Sequence, residues 1–303
     1  MKTIVLGALT AMGLGSLVNA GPLMTPMSLA EDKAAPLILD IRGAAYDSGH
    51  IEGAVSAPYP LFRGPAENPG QLVPEEELEQ RLRALGVTLD RPVVVVHQGS
   101  DDTDFGAAAR VYWTLKSSGV TDLAILNGGM DAWRNAGLPV DDDPVVPVPS
   151  DVDIIFSDQW LASRADVQDI VAGRQNAALV DARPPAYYEG SMAHPAADRP
   201  GTLPGAQNLP HSEFFGGSAQ IGDTTLAQSV AARLGLGAEA EVVSFCNTGH
   251  WAATEWFALS ELAGMPNVKL YPESIVGYSQ SGGEMENTPN LFQNLLRQVR
   301  GAN

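Results

Sequence analysis

The sequence predicts an α/β protein built from two tandem copies of one unit, each a mainly parallel sheet flanked by helices. Three observations carry this. An apolar strand ending in Asp-x-Arg occurs twice, as Leu37-Ile38-Leu39-Asp40-Ile41-Arg42 and as Ala178-Leu179-Val180-Asp181-Ala182-Arg183. Each is followed by a related glycine turn, Gly49-His50-Ile51-Glu52-Gly53-Ala54 and then Gly201-Thr202-Leu203-Pro204-Gly205-Ala206. Apolar strand-length runs alternate with helix-period segments in both halves, the pattern of a layered sheet with crossover helices. Because the repeat is as long as a domain, it describes a tandem pair rather than a solenoid.

Taken in order, residues 1–20 stand apart. Lys2 precedes an uncharged run from Thr3 to Val18, and Val18-Asn19-Ala20 offers small residues where a signal peptidase cleaves. The run is short and is broken by Gly7, Gly13 and Gly15, which argues against a retained span. A signal peptide cut after Ala20 is expected. The mature chain is then periplasmic or secreted, without stable membrane association.

The first copy is expected over 21–143. After the Asp-x-Arg strand, Pro92 to Val96 reads as a buried strand and Gly106 to Ser118 as a helix. Leu123 to Leu126 is a further strand, running into Asn127-Gly128-Gly129-Met130-Asp131-Ala132-Trp133. A linker over 144–152 follows, where Pro144, Pro147 and Pro149 break any regular element.

The second copy is expected over 153–303. Glu241 to Phe245 reads as a short buried strand, and Ala252, Trp256, Leu259 and Ala263 recur at helical spacing until Gly264 and Pro266 stop the helix. Val268-Lys269-Leu270 runs into Tyr271-Pro272-Glu273-Ser274 as the counterpart of the first copy's last strand and turn. Leu291, Leu295 and Val299 suggest a closing helix. The second copy also carries an insertion containing His194 and Arg199, because the turn lies further from its strand than in the first copy.

Charge and composition exclude some partners. With 18 basic against 36 acidic residues the formal charge is −18, which argues against nucleic acid and anionic membranes. A small anionic substrate would have to be attracted locally against that field. The five histidines show no metal-ligand spacing, and no glycine loop for phosphate or dinucleotide stands between a strand and a helix, so no metal or cofactor is expected.

The chemistry concentrates at one place. Cys246 is the only cysteine, and Cys246-Asn247-Thr248-Gly249-His250-Trp251 joins a buried strand to a helix. A sulfur there faces unpaired loop amides and the positive end of a helix, both of which stabilise a thiolate. An exported chain with one cysteine cannot close an internal disulfide, so the thiol is either reactive or kept for another molecule.

These residues resemble a tandem-domain rhodanese of the thiosulfate and 3-mercaptopyruvate sulfurtransferase family, over essentially the whole mature chain. The likeness rests on the paired Asp-x-Arg strand ends, Gly-His-Ile-x-Gly-Ala, Leu-Asn-Gly-Gly-x-x-x-Trp, and a Cys-x-x-Gly loop found only in the second copy. It implies an inactive first domain and a catalytic second one. Lining up the strands ending at His97 and Phe245 puts Gln98 opposite Cys246.

The resemblance implies two-step sulfur transfer: Cys246 takes the outer sulfur of thiosulfate or mercaptopyruvate as a persulfide and passes it to a thiophilic acceptor. The loop amides from Asn247 to Trp251 would hold the negative sulfur. Asp181 and Arg183 would shape the loop from beneath. The expected partners are a small sulfur-containing anion or thiol and a protein sulfur acceptor. An exported persulfide carrier with little small-molecule turnover is the alternative.

Two family contacts differ here. Thr248 stands where thiosulfate-specific members carry a cation, and Tyr187 where many tandem members carry an arginine. Arg199 and His250 are the candidates to replace them, His250 by adding charge or relaying a proton near neutrality. A phosphatase reading fails on the sixth residue after the cysteine, Ala252, where the phosphate-clamping arginine would be needed.

Overall fold

The computed structural model describes residues 21–237 and 239–289. The expected signal segment 1–20 and the closing helix around Leu291, Leu295 and Val299 lie outside the described residues.

The strands form two sheets. The first contains β1 (Leu23–Met24), β2 (Leu37–Asp40), β3 (Val55–Ser56), β4 (Val93–Val96) and β5 (Leu123–Leu126), in the order β1-β5-β4-β2-β3. The second contains β6 (Ala178–Asp181), β7 (Gln207–Asn208), β8 (Val242–Phe245) and β9 (Val268–Leu270), in the order β7-β6-β8-β9. Each of these pairings is parallel. Parallel sheets are covered on both faces, so their central strands are unbroken apolar runs. The four valines of β4 and the Val-Val-Ser-Phe of β8 are buried throughout.

The helices that matter for the site are α1 (Glu75–Ala84), α2 (Asp102–Ser117), α3 (Gly129–Asn135), α4 (Trp251–Phe257) and α5 (Ser274–Gln280). Helix α2 begins four residues before the expected Gly106. The acidic run is its cap and first turn: the Asp101 side chain accepts from the Asp104 amide at 2.8 Å, where carboxylates also meet the helix dipole favourably. Helix α4 continues into a π-turn over Ala258–Leu262.

The sheet register corrects the alignment of the two copies. Asp40 pairs with Val96 and Asp181 with Phe245, so the counterpart of Cys246 is His97, not Gln98. The strand ends at Val96, and counting His97 as its last residue displaced the comparison by one. The loops agree: the His97 carbonyl accepts from the Met130 amide at 2.9 Å, as the Cys246 carbonyl accepts from Ile275 at 3.1 Å. Gln98 is the counterpart of Asn247, and each takes a hydrogen bond from the arginine of its own Asp-x-Arg.

The copies pack through α2 against α4. Phe105 and Tyr112 meet the Phe257 ring edge-on, with centroids 5.5 and 5.0 Å away. The step along the chain that carries Val96 onto Phe245 also carries Tyr112 onto Glu261. These two equivalent positions touch: the Tyr112 hydroxyl donates to Glu261 Oε2 at 2.9 Å, and Lys116 Nζ reaches the same carboxylate at 2.8 Å. At this point the packed helices of the two copies meet through unlike residues. The linker is stitched to α1, the Ser150 amide donating to the Arg83 carbonyl and Arg83 Nε to the Val152 carbonyl.

Candidate active site

Strand β8 delivers Cys246 to the carboxyl end of its sheet, where open parallel sheets place their ligands. The cysteine is free and only 1% exposed. Its loop is held open by few contacts. The Cys246 and Gly249 amides both donate to Ser274 Oγ, at 2.9 and 3.1 Å, and that hydroxyl donates to the Tyr271 carbonyl at 2.8 Å. The amides of Asn247, Thr248 and His250 have no acceptor among the described residues, so they remain for an anion on the sulfur. Gly249 turns the loop at φ +69°, and a Cβ there would lie 2.5 Å from the Pro272 carbonyl oxygen.

Asp181 and Arg183 lie directly under this loop, both buried. Arg183 donates through Nε and Nη2 to the Asp181 carboxylate at 2.8 and 2.6 Å, and through Nη1 to Asn247 Oδ1 at 3.2 Å. Thr202 and the Gly201 carbonyl complete the set, tying the glycine turn to the strand end. The first copy repeats the arrangement with Arg42, Asp40, Gly49 and Gln98.

His250 faces the first copy. Its Nε2 lies 2.7 Å from the Thr103 carbonyl oxygen, which only accepts, so Nε2 carries the proton. Nδ1 then accepts from the Tyr59 hydroxyl at 3.0 Å. Burial, with the Arg63 charge nearby, pulls the imidazole down to about 4, so it is neutral at physiological pH and adds no positive charge. Trp251 stacks on His211 at 5.0 Å, donates to Thr103 Oγ1 and meets Tyr187 edge-on at 5.9 Å. The guanidinium of Arg183 sits over the same Tyr187 ring. Arg199 is tied to the Gly283 carbonyl just after α5, and among the described residues it makes no hydrogen bond to the cysteine loop.

Besides Arg183, which is paired with Asp181, two cations near the loop come from the first copy. Arg63 Nη1 donates to the Tyr59 hydroxyl at 3.0 Å, and its charge adds to burial in lowering both His250 and His194 of the insertion. Arg110 on α2 donates to the Gly249 carbonyl at 3.4 Å and the Gly70 carbonyl at 3.2 Å. Gly106 lets α2 approach this closely, since a Cβ there would fall 2.7 Å from the His250 ring. Below the cysteine, Glu255 of α4 is fully buried. Its Oε2 lies 2.5 Å from Ser244 Oγ, which also donates to the Ala252 carbonyl at 3.0 Å. A serine has one hydrogen to give, and burial raises Glu255 well above the carboxylate range, so the acid keeps its proton and makes that bond itself.

Sequence reasoning missed Tyr59, Arg63, Arg110, Ser274 and Glu255. Two carried a signal, since Arg110 and Glu255 are charged residues inside otherwise apolar helical runs.

The comparisons agree with this geometry. The rhodanese-like domain model matches twice, over residues 26–136 and 159–281. The sulfur carrier protein TtuD of Thermus thermophilus is 28% identical over 256 residues, covering 81% of this chain and 88% of its own. A Mycolicibacterium smegmatis protein provisionally named thiosulfate sulfurtransferase is 28% identical over 263 residues, covering 84% and 92%. Among solved structures, SseA of Escherichia coli, described with the rhodanese fold and catalytic mechanism of 3-mercaptopyruvate sulfotransferases, superposes with a TM-score of 0.73 at 26% identity, covering 84% of this chain and 99% of that one.

Proposed function

The chain belongs to the rhodanese-like domain family, and from that premise we propose that it is a sulfurtransferase acting through a Cys246 persulfide. The carrying observation is the cysteine at the end of β8, in a loop where the amides of Asn247, Thr248 and His250 have no acceptor among the described residues. The Cys246 thiolate attacks the outer sulfur of thiosulfate. A Cys246–sulfur bond forms, the sulfur–sulfur bond of the donor breaks, and sulfite leaves with the electron pair. With mercaptopyruvate the carbon–sulfur bond breaks instead, and the donor's thiol proton ends on the methyl group of pyruvate. A thiophilic acceptor, cyanide, a thiol or a protein thiolate, then takes the terminal sulfur and regenerates the thiolate.

The first copy, 21–143, serves as the wall of the site and the second, 153–303, as the catalytic half. His97 stands where the second copy has its cysteine, and offers no sulfur. Arg63, partly exposed beside Tyr59, is the donor's anion contact. His250 holds Tyr59 in place and Tyr187 closes the Trp251 side, while the Arg199 guanidinium is taken by the Gly283 carbonyl. Export with cleavage after Ala20 is part of the same proposal, supported by the character of residues 1–20.

Intact-protein mass of the exported chain, before and after thiosulfate or mercaptopyruvate, tests this. One added sulfur on the natural protein, absent from Cys246→Ser and removed by cyanide, is expected. No gain with either donor would overturn small-molecule turnover and leave a carrier loaded by another protein. The same spectrum reads whether the chain starts at Gly21.

A further inference from the structure

Arg110 is a buried cation without a carboxylate. Its residue is 1% exposed, in the middle of α2 among Val111, Trp113 and Leu115. The guanidinium lies over the Trp113 ring at 5.2 Å and gives two hydrogen bonds, both to carbonyls, one of them Gly249 of the cysteine loop. Nε has no partner, and none of the ion pairs among the described residues includes it. Arg42 and Arg183 are buried comparably, but each grips its own aspartate with two nitrogens. A buried charge is expected to find an opposite one.

The groups around it narrow the choice. Tyr59 and Arg63 face Arg110 from the first copy, Cys246 and His250 from the loop, with Glu255 on α4 beyond the cysteine. Arg63 is a second cation. His250 is neutral, burial raises Tyr59 so the phenol keeps its proton, and Glu255 keeps its own. Among these groups the Cys246 sulfur is the one whose own chemistry, nucleophilic attack, needs the anion. Burial pulls Arg110 down, to about 9, so it is still a cation at neutral pH.

We propose that Arg110 is the counter-ion of the Cys246 sulfur, a positioning residue supplied by the non-catalytic copy. Thiolate and persulfide carry the same single negative charge, so one fixed guanidinium matches both halves of a sulfur-transfer cycle. The persulfide half rests on the sulfurtransferase reading; the pairing with the thiolate does not.

The test compares the natural protein with Arg110→Gln and Arg110→Lys by the rate at which iodoacetamide alkylates Cys246 across pH, alongside sulfur loading by mass. Arg110→Gln is expected to slow alkylation at pH 7 by about tenfold or more and to displace the pH profile upward, because a facing opposite charge is worth a unit or more. Arg110→Lys is expected to recover most of that loss. Superimposable profiles in folded variants overturn the proposal. Should Arg110→Gln not fold, Cys246→Asp and Cys246→Asn decide it with Arg110 intact. The carboxylate is expected to melt above the isosteric amide at pH 7, and the reverse order overturns the pairing. A displaced profile without sulfur loading in the natural protein would defeat the sulfurtransferase reading alone.

Discussion

Ser274 holds its backbone at φ +51° and thereby puts its hydroxyl 2.9 Å from the Cys246 amide nitrogen. The counterpart position in the first copy is Gly129, at φ +57°, where no side chain is at risk. The second copy accepts left-handed strain in a serine to obtain an oxygen that collects two loop amides. Ser274→Ala keeps the strain and orphans both amides, at an expected cost of about 2–3 kcal/mol. Ser274→Gly loses the hydroxyl but relieves the strain, so it should be about 1 kcal/mol more stable than the alanine variant. Urea denaturation measures both, and equal losses would show that φ costs nothing here.

Gly249→Ala meets two obstacles at once, the positive φ and a Cβ 2.6 Å from Arg110 Nη1 and 2.5 Å from the Pro272 carbonyl. A loss of at least about 2 kcal/mol is expected, with sulfur loading slowed more than in Ser274→Gly.

His97 gives an acid-sensitive term. It is 1% exposed, neither ring nitrogen has a partner, and burial pulls it down to about 4 against the upward pull of Asp104 and Asp131. The unfolded chain takes up this proton near pH 6.5 and the folded chain does not. Its contribution is therefore complete above about pH 6.5 and lost as pH falls towards 4, by up to about 3 kcal/mol. His97→Phe, fitting beside Phe105, should be near neutral at pH 7 and gain on the natural protein steadily from pH 6.5 to 4. Parallel stability curves in denaturant at stepped pH would refute this.

Arg63→Ala is expected to raise KM for thiosulfate about tenfold with less change in kcat, the signature of a lost charge-assisted contact to bound donor. Arg199→Ala, whose guanidinium serves Gly283, should stay within about twofold. Steady-state kinetics with both variants decides which arginine faces the donor.

What could be read in advance followed from local pattern. The strands, the repeated Asp-x-Arg ends and the loop of Cys246 are contiguous, and hydrophobic period plus one unusual residue exposes them. Asp181 and Arg183 are two residues apart and find each other by strand geometry alone. Tyr59 and Arg110 reach the cysteine loop, at His250 and Gly249, only because the first copy packs on the second, α2 against α4, a contact between segments well over a hundred residues apart that no local period encodes. The displaced pairing of Gln98 has a similar origin. A strand end is uncertain by a residue or two, and in a sheet one residue decides which side chain takes the key position. His250 shows a third limit, since its charge depends on burial by Thr103 and Tyr59 from the other copy.

The Tyr112–Glu261 contact gives the seam between the copies a direction. Two identical halves meeting on a twofold axis here would present the same residue from both sides, and a pair of carboxylates would repel. A phenol hydrogen-bonded to a carboxylate needs two different partners, so the bond tells one half from the other. A further copy of the second half, offered by another molecule, would set carboxylate against carboxylate at this point.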